Sequence, residues 1–450
     1  MATQGGSAAP DPGALPDAKQ LLRSRSYLAL LVLGAIVGVP AAGIALFFLK
    51  AVSVGQNWAF TSLPKDLGFN AAPSWWPIPL LVLAGVLVAA SIQFLPGTSG
   101  HEPSEGLKAG GPVMPLELPG IVLASFATLV LGVVLGPEAP LIAIGSGIGV
   151  IVMRLVRREA PNQAVAVIAA AGSFAAVSTL LGSPITGAFL MMEVSGLGGP
   201  LMAAILVPGL LASGIGALVF VGLGHWTGFG TFSLAVPNIP PFGTPTGGEF
   251  LWAIAIGLLA AGVGTAIRRF GAALRPVVAK RRIVLTPIIG LGIGILAYVF
   301  TQRTGMTSSL VLFSGQDALP KVIDNAAAFS VGTLLLLIVC KGVAYGGALS
   351  AFRGGPTFPG MFLGAVGGIA LSHLPGLPMI AGAAMGIGAM TVVMLGGLPL
   401  TSVLLTTIFL QSDGVTLMPL VIVAVVVAFV TSQHLTKEPA AAPPPATAGT

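Results

Sequence analysis

Of 450 residues, 55% are hydrophobic and only 8% are charged, with a mean hydropathy of +0.98, whereas a soluble globular chain carries about 25% charged residues. No water-exposed surface can be built from that composition, so the membrane is the solvent of this fold and not merely an attachment point. The formal charge of +6 does not indicate a nucleic-acid partner, because the bases sit beside apolar runs, where such clusters set topology.

Residues 1–26 are rich in Gly, Pro and Ala, carry Asp11 and Asp17, and lack the basic start and early apolar core of a signal peptide, so they read as an aqueous tail. Apolar stretches that can cross a bilayer follow at 27–49, 78–95, 199–223, 249–267, 284–301, 329–346 and 415–432. Shorter pieces lie near 120–135, 140–153, 164–181, 184–195, 358–371, 379–395 and 400–411; Gly-Pro punctuation cuts them, and many are expected to be too short to span comfortably. Basic clusters at Lys19, Arg23 and Arg25, at Arg154, Arg157 and Arg158, and from Arg268 through Arg282 predict a multi-pass protein of the cell membrane with those regions and both termini on the cytoplasmic side. The lone Cys340 lies in an apolar run, reads as a packing residue and leaves no intramolecular disulfide. From Gln433 to Thr450 the chain holds AAAPPPATAGT, which cannot bury enough apolar surface to fold; no soluble regulatory domain is expected after the membrane part.

The backbone breaks are not random. Gly136-Pro137-Glu138-Ala139-Pro140, followed by Gly145 and Gly149, is matched by Gly355-Pro356-Thr357-Phe358-Pro359, followed by Gly364 and Gly368. Gly182-Ser183-Pro184-Ile185-Thr186 is matched, at nearly the same offset, by Gly397-Leu398-Pro399-Leu400-Thr401. Two motifs recurring in one order predict two structural repeats, over 27–223 and 249–432, joined by a loop over 224–248 and followed by a disordered tail over 433–450. Transporters use such duplication to bring broken helices together around a substrate site. Most individual glycines are read as close-packing positions.

Each GPxxP places proline where a helix can start, so the residues that follow enter a helix whose first N–H groups lack intrahelical partners. Two such ends aimed at one point can hold a partly dehydrated anion, each worth roughly 0.3–1 kcal/mol and up to ~2 kcal/mol when partly buried. Lys341 and Arg353 are read either as a diffuse positive potential near the path or as a helix cap or interface residue. Glu138 stands alone as a charge between Leu118 and Met153, and carboxylates at membrane depth are functional candidates. Ionised, it can occupy the dipolar site that an anion uses; protonated, it would leave, acting as both gate and proton carrier. The plainer reading is a capping carboxylate that never moves.

These residues resemble the CLC family of chloride channels and chloride/proton antiporters. Gly136–Pro140 is similar to its GREGP segment with Pro for Arg and Ala for Gly, Thr98-Ser99-Gly100-His101-Glu102-Pro103 to its GSGIPE segment, and Gly355–Pro359 to its GxFxP segment with the aromatic one place late. Pro184 through Glu193 and Leu398 through Ser402 also resemble family helices, so the likeness runs from about 27 to 432. It implies an all-α polytopic protein of two inverted repeats of tilted and broken helices, a homodimer with one pore per subunit and no cytosolic regulatory domains. It also implies an external gate at Glu138 and anion binding around Ser99, Gly100, Gly136, Pro137, Ala139, Gly355, Pro356, Thr357 and Phe358, with the Ser99 hydroxyl and the Thr357 and Phe358 amides as donors. A candidate proton path joins Glu138 and Glu193.

Two departures matter. The family's pore-lining tyrosine near the C-terminal end has no counterpart, since the tyrosines are Tyr27, Tyr298 and Tyr345. Glu193 matches the first member of the acidic pair that many antiporters carry, and Val194 replaces the second. That substitution resembles the channel branch, though some relatives without the second glutamate still exchange protons. His101 is read as a group titrating near neutral pH or as a structural loop histidine. The expected activity is therefore chloride conduction as a channel, with proton-coupled antiport as the alternative and a carrier for another small solute, with Glu117 and Asp413 as further acids, as the remote one. Lipid, small anions and protons are the expected partners. No enzyme, cofactor or metal motif is present: His101, His225, His373 and His434 sit in separate segments.

Overall fold

In apolar solvent every backbone N–H and C=O must be satisfied internally, and the chain answers with helices. The computed structural model describes residues 24–108, 110–196, 199–227, 242–410 and 414–436; Asp11, Asp17, Lys19, Arg23, Asp413 and most of the two expected tails and of the 224–248 loop lie outside these. The first half contains α1 (Arg25–Asn57), α2 (Pro77–Phe94), α3 (Leu118–Val130), α4 (Glu138–Val156), α5 (Asn162–Leu181), α6 (Pro184–Ser195) and α7 (Gly199–Thr227). The second contains α8 (Gly247–Lys280), α9 (Arg282–Thr304), α10 (Val331–Ala351), α11 (Thr357–Leu371), α12 (Met379–Leu395), α13 (Pro399–Phe409) and α14 (Gly414–Leu435).

Nine helices among the described residues are long and apolar enough to cross a membrane. They include α4 and α5, of 19 and 20 residues, which corrects the expectation of short pieces at 140–153 and 164–181. The glycines within them, Gly145, Gly149 and Gly172, are packing positions inside continuous helices. Helix α1 likewise runs past 49, continuing through a π-helical turn at Trp58–Ser62 to Asp66. Peripheral helices turn large apolar side chains outward, with Phe47 71%, Phe94 74% and Leu218 74% exposed, a band that only lipid covers without cost. The centre is formed by α5, α11 and α12, which are buried over most of their lengths.

The two halves pack by one scheme. In the first, α5 lies against α1, α4, α6 and α7, and α1 against α7; in the second, α12 lies against α8, α11, α13 and α14, and α8 against α14. Where the halves meet, Gly136 and Gly355 form an antiparallel bridge, each amide donating to the other's carbonyl at 2.7 and 2.6 Å. Equivalent residues of two motifs pair antiparallel when a two-fold axis passes between them, the relation that inverted repeats require. The GxxxG pairs repeat the symmetry. Gly145 and Gly149 bring α4 onto the backbone of α5 at Gly172 and Ile168, and Gly364 and Gly368 bring α11 onto α12 at Gly386 and Gly382, so closely that a Cβ at any of the four would strike a carbonyl.

Candidate anion site

Helix α4 starts at Glu138 with Pro137 as its N-cap, and α11 at Thr357 with Pro356 as its N-cap. Pro140 and Pro359, each the third residue, have no N–H, so the start of α11 presents two free amides. Both are taken by one oxygen: Thr357 and Phe358 donate to Glu138 Oε1 at 2.9 and 3.1 Å. Glu138 Oε2 has no hydrogen-bond partner and lies against the Cα atoms of Gly136 and Gly355, where a methyl group would collide with it. A carboxylate of the first repeat, 1% exposed, thus sits on the helix start of the second. Two amides and a helix dipole hold one negative charge there. Buried amides require an acceptor, so a departing carboxylate must be replaced, and a small anion fits that demand.

The remaining motif residues frame this cradle. The Gly136 and Gly355 amides are engaged with each other, and Pro137 and Pro356 have no N–H to offer, so these four frame the site without donating a backbone hydrogen to it. The Pro356 carbonyl accepts from the Tyr345 hydroxyl at 2.5 Å. A buried phenol therefore stands beside the cradle, on α10. Ala139 borders a cavity of about 500 Å³ that Thr98, Gly100, His101, Ser146 and Ser173 also line.

Ser99 and Gly100 follow α2 in left-handed backbone (φ 55° and 95°). The Ser99 hydroxyl is buried without a hydrogen-bond partner and presses on Gly120, where a Cβ would lie 3.0 Å away. His101 Nε2 is 4.0 Å from Glu105 Oε2, and burial pushes the imidazole below its ordinary pKa despite that carboxylate. A second cavity, of about 860 Å³ and lined by Gln56, Asn57, Thr61, Gln316 and Lys321 among others, lies at the other end of α3. Gln56 bonds the Leu129 carbonyl at the end of α3, and Arg154 reaches Met114 just before its start.

The other singled-out charges have separate posts. Lys341 does not reach an interface; fully buried, its ammonium donates to the carbonyls of Leu310, Val311, Leu312 and Phe313 at 3.0–3.2 Å, at and beyond the C-terminus of the 3-10 turn Ser308–Leu310, and lies 4.6 Å from the centre of the Phe362 ring. Arg353 donates to the carbonyls of Thr98 and Phe352 at 3.2 and 3.3 Å. Glu193 accepts from the Leu400 and Thr401 amides at 3.0 and 2.7 Å, at the start of α13, and does not touch Glu138. Glu117 accepts from the Met114 amide.

A family model described as voltage gated chloride channel matches residues 85–433, and the chain belongs to this CLC family. Curated relatives under the name of ion-transport protein YfeO, from Escherichia coli O7:K1 and Shigella boydii serotype 4, are 28% identical over 363 and 362 residues, covering 79% of this chain and 82% of theirs. Among solved structures, a CLC-type fluoride/proton antiporter aligns at TM-score 0.68 and 20% identity over 90% of this chain and 96% of its own. A slow cyanobacterial Cl−/H+ antiporter aligns at 0.69 and 20%, over 91% and 95%.

Tyr345 and the ion pairs around Glu102 are absent from the motif reading. Tyr345 carried one signal, a phenol in a run of small residues shortly before Gly355.

Proposed function

We propose that this protein carries chloride, or a similarly small monovalent anion, across the cell membrane through a pore in which Glu138 is the gate. The observation that carries the reading is the bond of the Glu138 carboxylate to the Thr357 and Phe358 amides, a site built for one negative charge that only a mobile residue or an anion can fill. Passive conduction is the first mode. Glu193 is held by the start of α13, and Val194 beside it has no proton to transfer. Proton-coupled exchange is the second, favoured by the fold shared with two proteins named as antiporters and by a gate that is itself a proton carrier. In either mode the Arg154–Arg158 and Arg268–Arg282 sides face the cytoplasm, and two copies form the working unit.

Proteoliposomes under separate chloride and pH gradients test this. Chloride efflux above protein-free vesicles is expected, with a reversal potential that follows the chloride gradient alone for conduction and moves with the pH gradient for exchange. Flux of chloride, bromide and nitrate no greater than that of empty vesicles would overturn the proposal.

A further inference from the structure

Three arginines at the end of α4 take no part in anion gating by Glu138. Arg154 lies in the last turn of the helix, Arg157 is its C-cap and Arg158 follows in the next turn, all exposed. Other arginines of the chain have carboxylate partners: Arg275, Arg282 and Arg353 surround Glu102, and Arg275 also pairs with Glu105. Among the described residues no carboxylate pairs with Arg154, Arg157 or Arg158. The C-terminal dipole of α4 offers them roughly half a negative charge, and Glu159 is the one acid beside them in sequence. Positive charge is left over at this helix end.

The surplus borders a groove. Arg154 and Arg158 line an open cavity of about 530 Å³ together with Pro115, Ile151 and Leu155. Large apolar side chains stand exposed around it, with Leu155 at 80%, Leu116 at 75% and Val156 at 68%, and such a patch marks a surface that something apolar covers. Helix α4 is long and apolar enough to span the membrane, so arginines at its end lie where acyl chains give way to headgroups. Two guanidiniums beside exposed leucines complement a molecule with a phosphate at one end and hydrocarbon at the other, since the planar guanidinium fork matches phosphate oxygens. A free phosphate would leave Leu116, Leu155 and Val156 uncovered.

We propose that this groove binds an anionic phospholipid of the adjoining leaflet, its phosphate on Arg154 and Arg158 and an acyl chain along Leu155 and Leu116. The site goes beyond the transport reading and stands or falls apart from it. The bound lipid would brace one wall of the cavity that reaches Ala139. Pro115 opens the 3-10 turn before α3, Arg154 touches Met114, and the Val113 amide donates to the Ser146 hydroxyl of α4 at 3.1 Å. Residues 110–113 line that cavity directly.

Native mass spectrometry of the purified full chain in detergent, titrated with phosphatidylglycerol and separately with phosphatidylcholine, tests it. The wild type is expected to bind phosphatidylglycerol roughly tenfold or more tightly than phosphatidylcholine. Arg154→Gln together with Arg158→Gln is expected to weaken phosphatidylglycerol binding by roughly tenfold or more, and Leu155→Gln severalfold. Arg281→Gln, which removes the same charge at another exposed position, should change it less than about twofold. Excess inorganic phosphate should leave the lipid bound. Equal losses in Arg281→Gln and the double variant would reduce the effect to diffuse charge and overturn the site. So would phosphatidylcholine binding as tight as phosphatidylglycerol, or displacement by inorganic phosphate. Should the double variant fail to fold, an unchanged affinity in Leu155→Gln overturns the proposal on its own.

Discussion

At the scale of single residues, the site is governed by which polar atoms have partners. Tyr345 donates to the carbonyl of Pro356, the N-cap of α11, and so fixes the plane from which the Thr357 and Phe358 amides project. Tyr345→Phe leaves that buried carbonyl without a donor and is expected to cost about 1–3 kcal/mol, read as a lower melting temperature in detergent, and to raise the half-saturating chloride concentration. His101 has the opposite standing. Burial holds its pKa below the ordinary value, so the imidazole is neutral at pH 7 and above and gains its proton only as pH falls further below the usual range. His101→Asn should therefore leave the pH profile of flux above pH 7 superimposable on wild type; a displaced profile would show that His101 titrates there. Glu138 was legible because a single carboxylate between two prolines is conspicuous in an apolar stretch. The role of Tyr345 was not, and neither were the partners of Arg353 and Glu102, which lie far away in sequence, where no periodicity announces such a pairing.

At the scale of elements, glycine spacing decides which helices touch. On α11, a Cβ at Gly364 would strike the Gly386 carbonyl, whereas at Gly367 it would meet nothing within 4 Å. Gly364→Ala is expected to destabilise by about 1–3 kcal/mol through overpacking, and Gly367→Ala to be neutral or stabilising by about 0.5–1 kcal/mol through helix propensity; paired thermal melts check the contrast. Lys341 acts between elements, tying residues 310–313 to α10 through four carbonyls. Lys341→Met should lower the melting temperature more than Tyr345→Phe, because several acceptors lose a charged donor at once. The starts of α4, α6, α11 and α13 were readable from proline, which marks a helix start by what it cannot donate. The lengths of α4 and α5 were underestimated because Glu138 and Ala139, Arg154 to Val156, and Asn162 and Gln163 lie outside the continuous apolar runs yet continue the helices.

At the scale of the whole molecule, the inverted duplication explains why a carboxylate of one half rests on amides of the other. A two-fold relation between the GPxxP segments sets Gly136 against Gly355, and the helix starts that follow must converge. The repeats were legible as matched motifs, but their inversion was not, since a motif reads the same in either membrane orientation. The central claim is that the Glu138 carboxylate and the transported anion compete for the Thr357 and Phe358 amides, and chloride flux through Glu138→Gln proteoliposomes across external pH tests it most directly. The account predicts a pore held open, with flux independent of external pH and free of any proton coupling the wild type shows. Wild-type pH dependence and coupling retained in that variant would contradict it and leave Glu138 a fixed cap on α11.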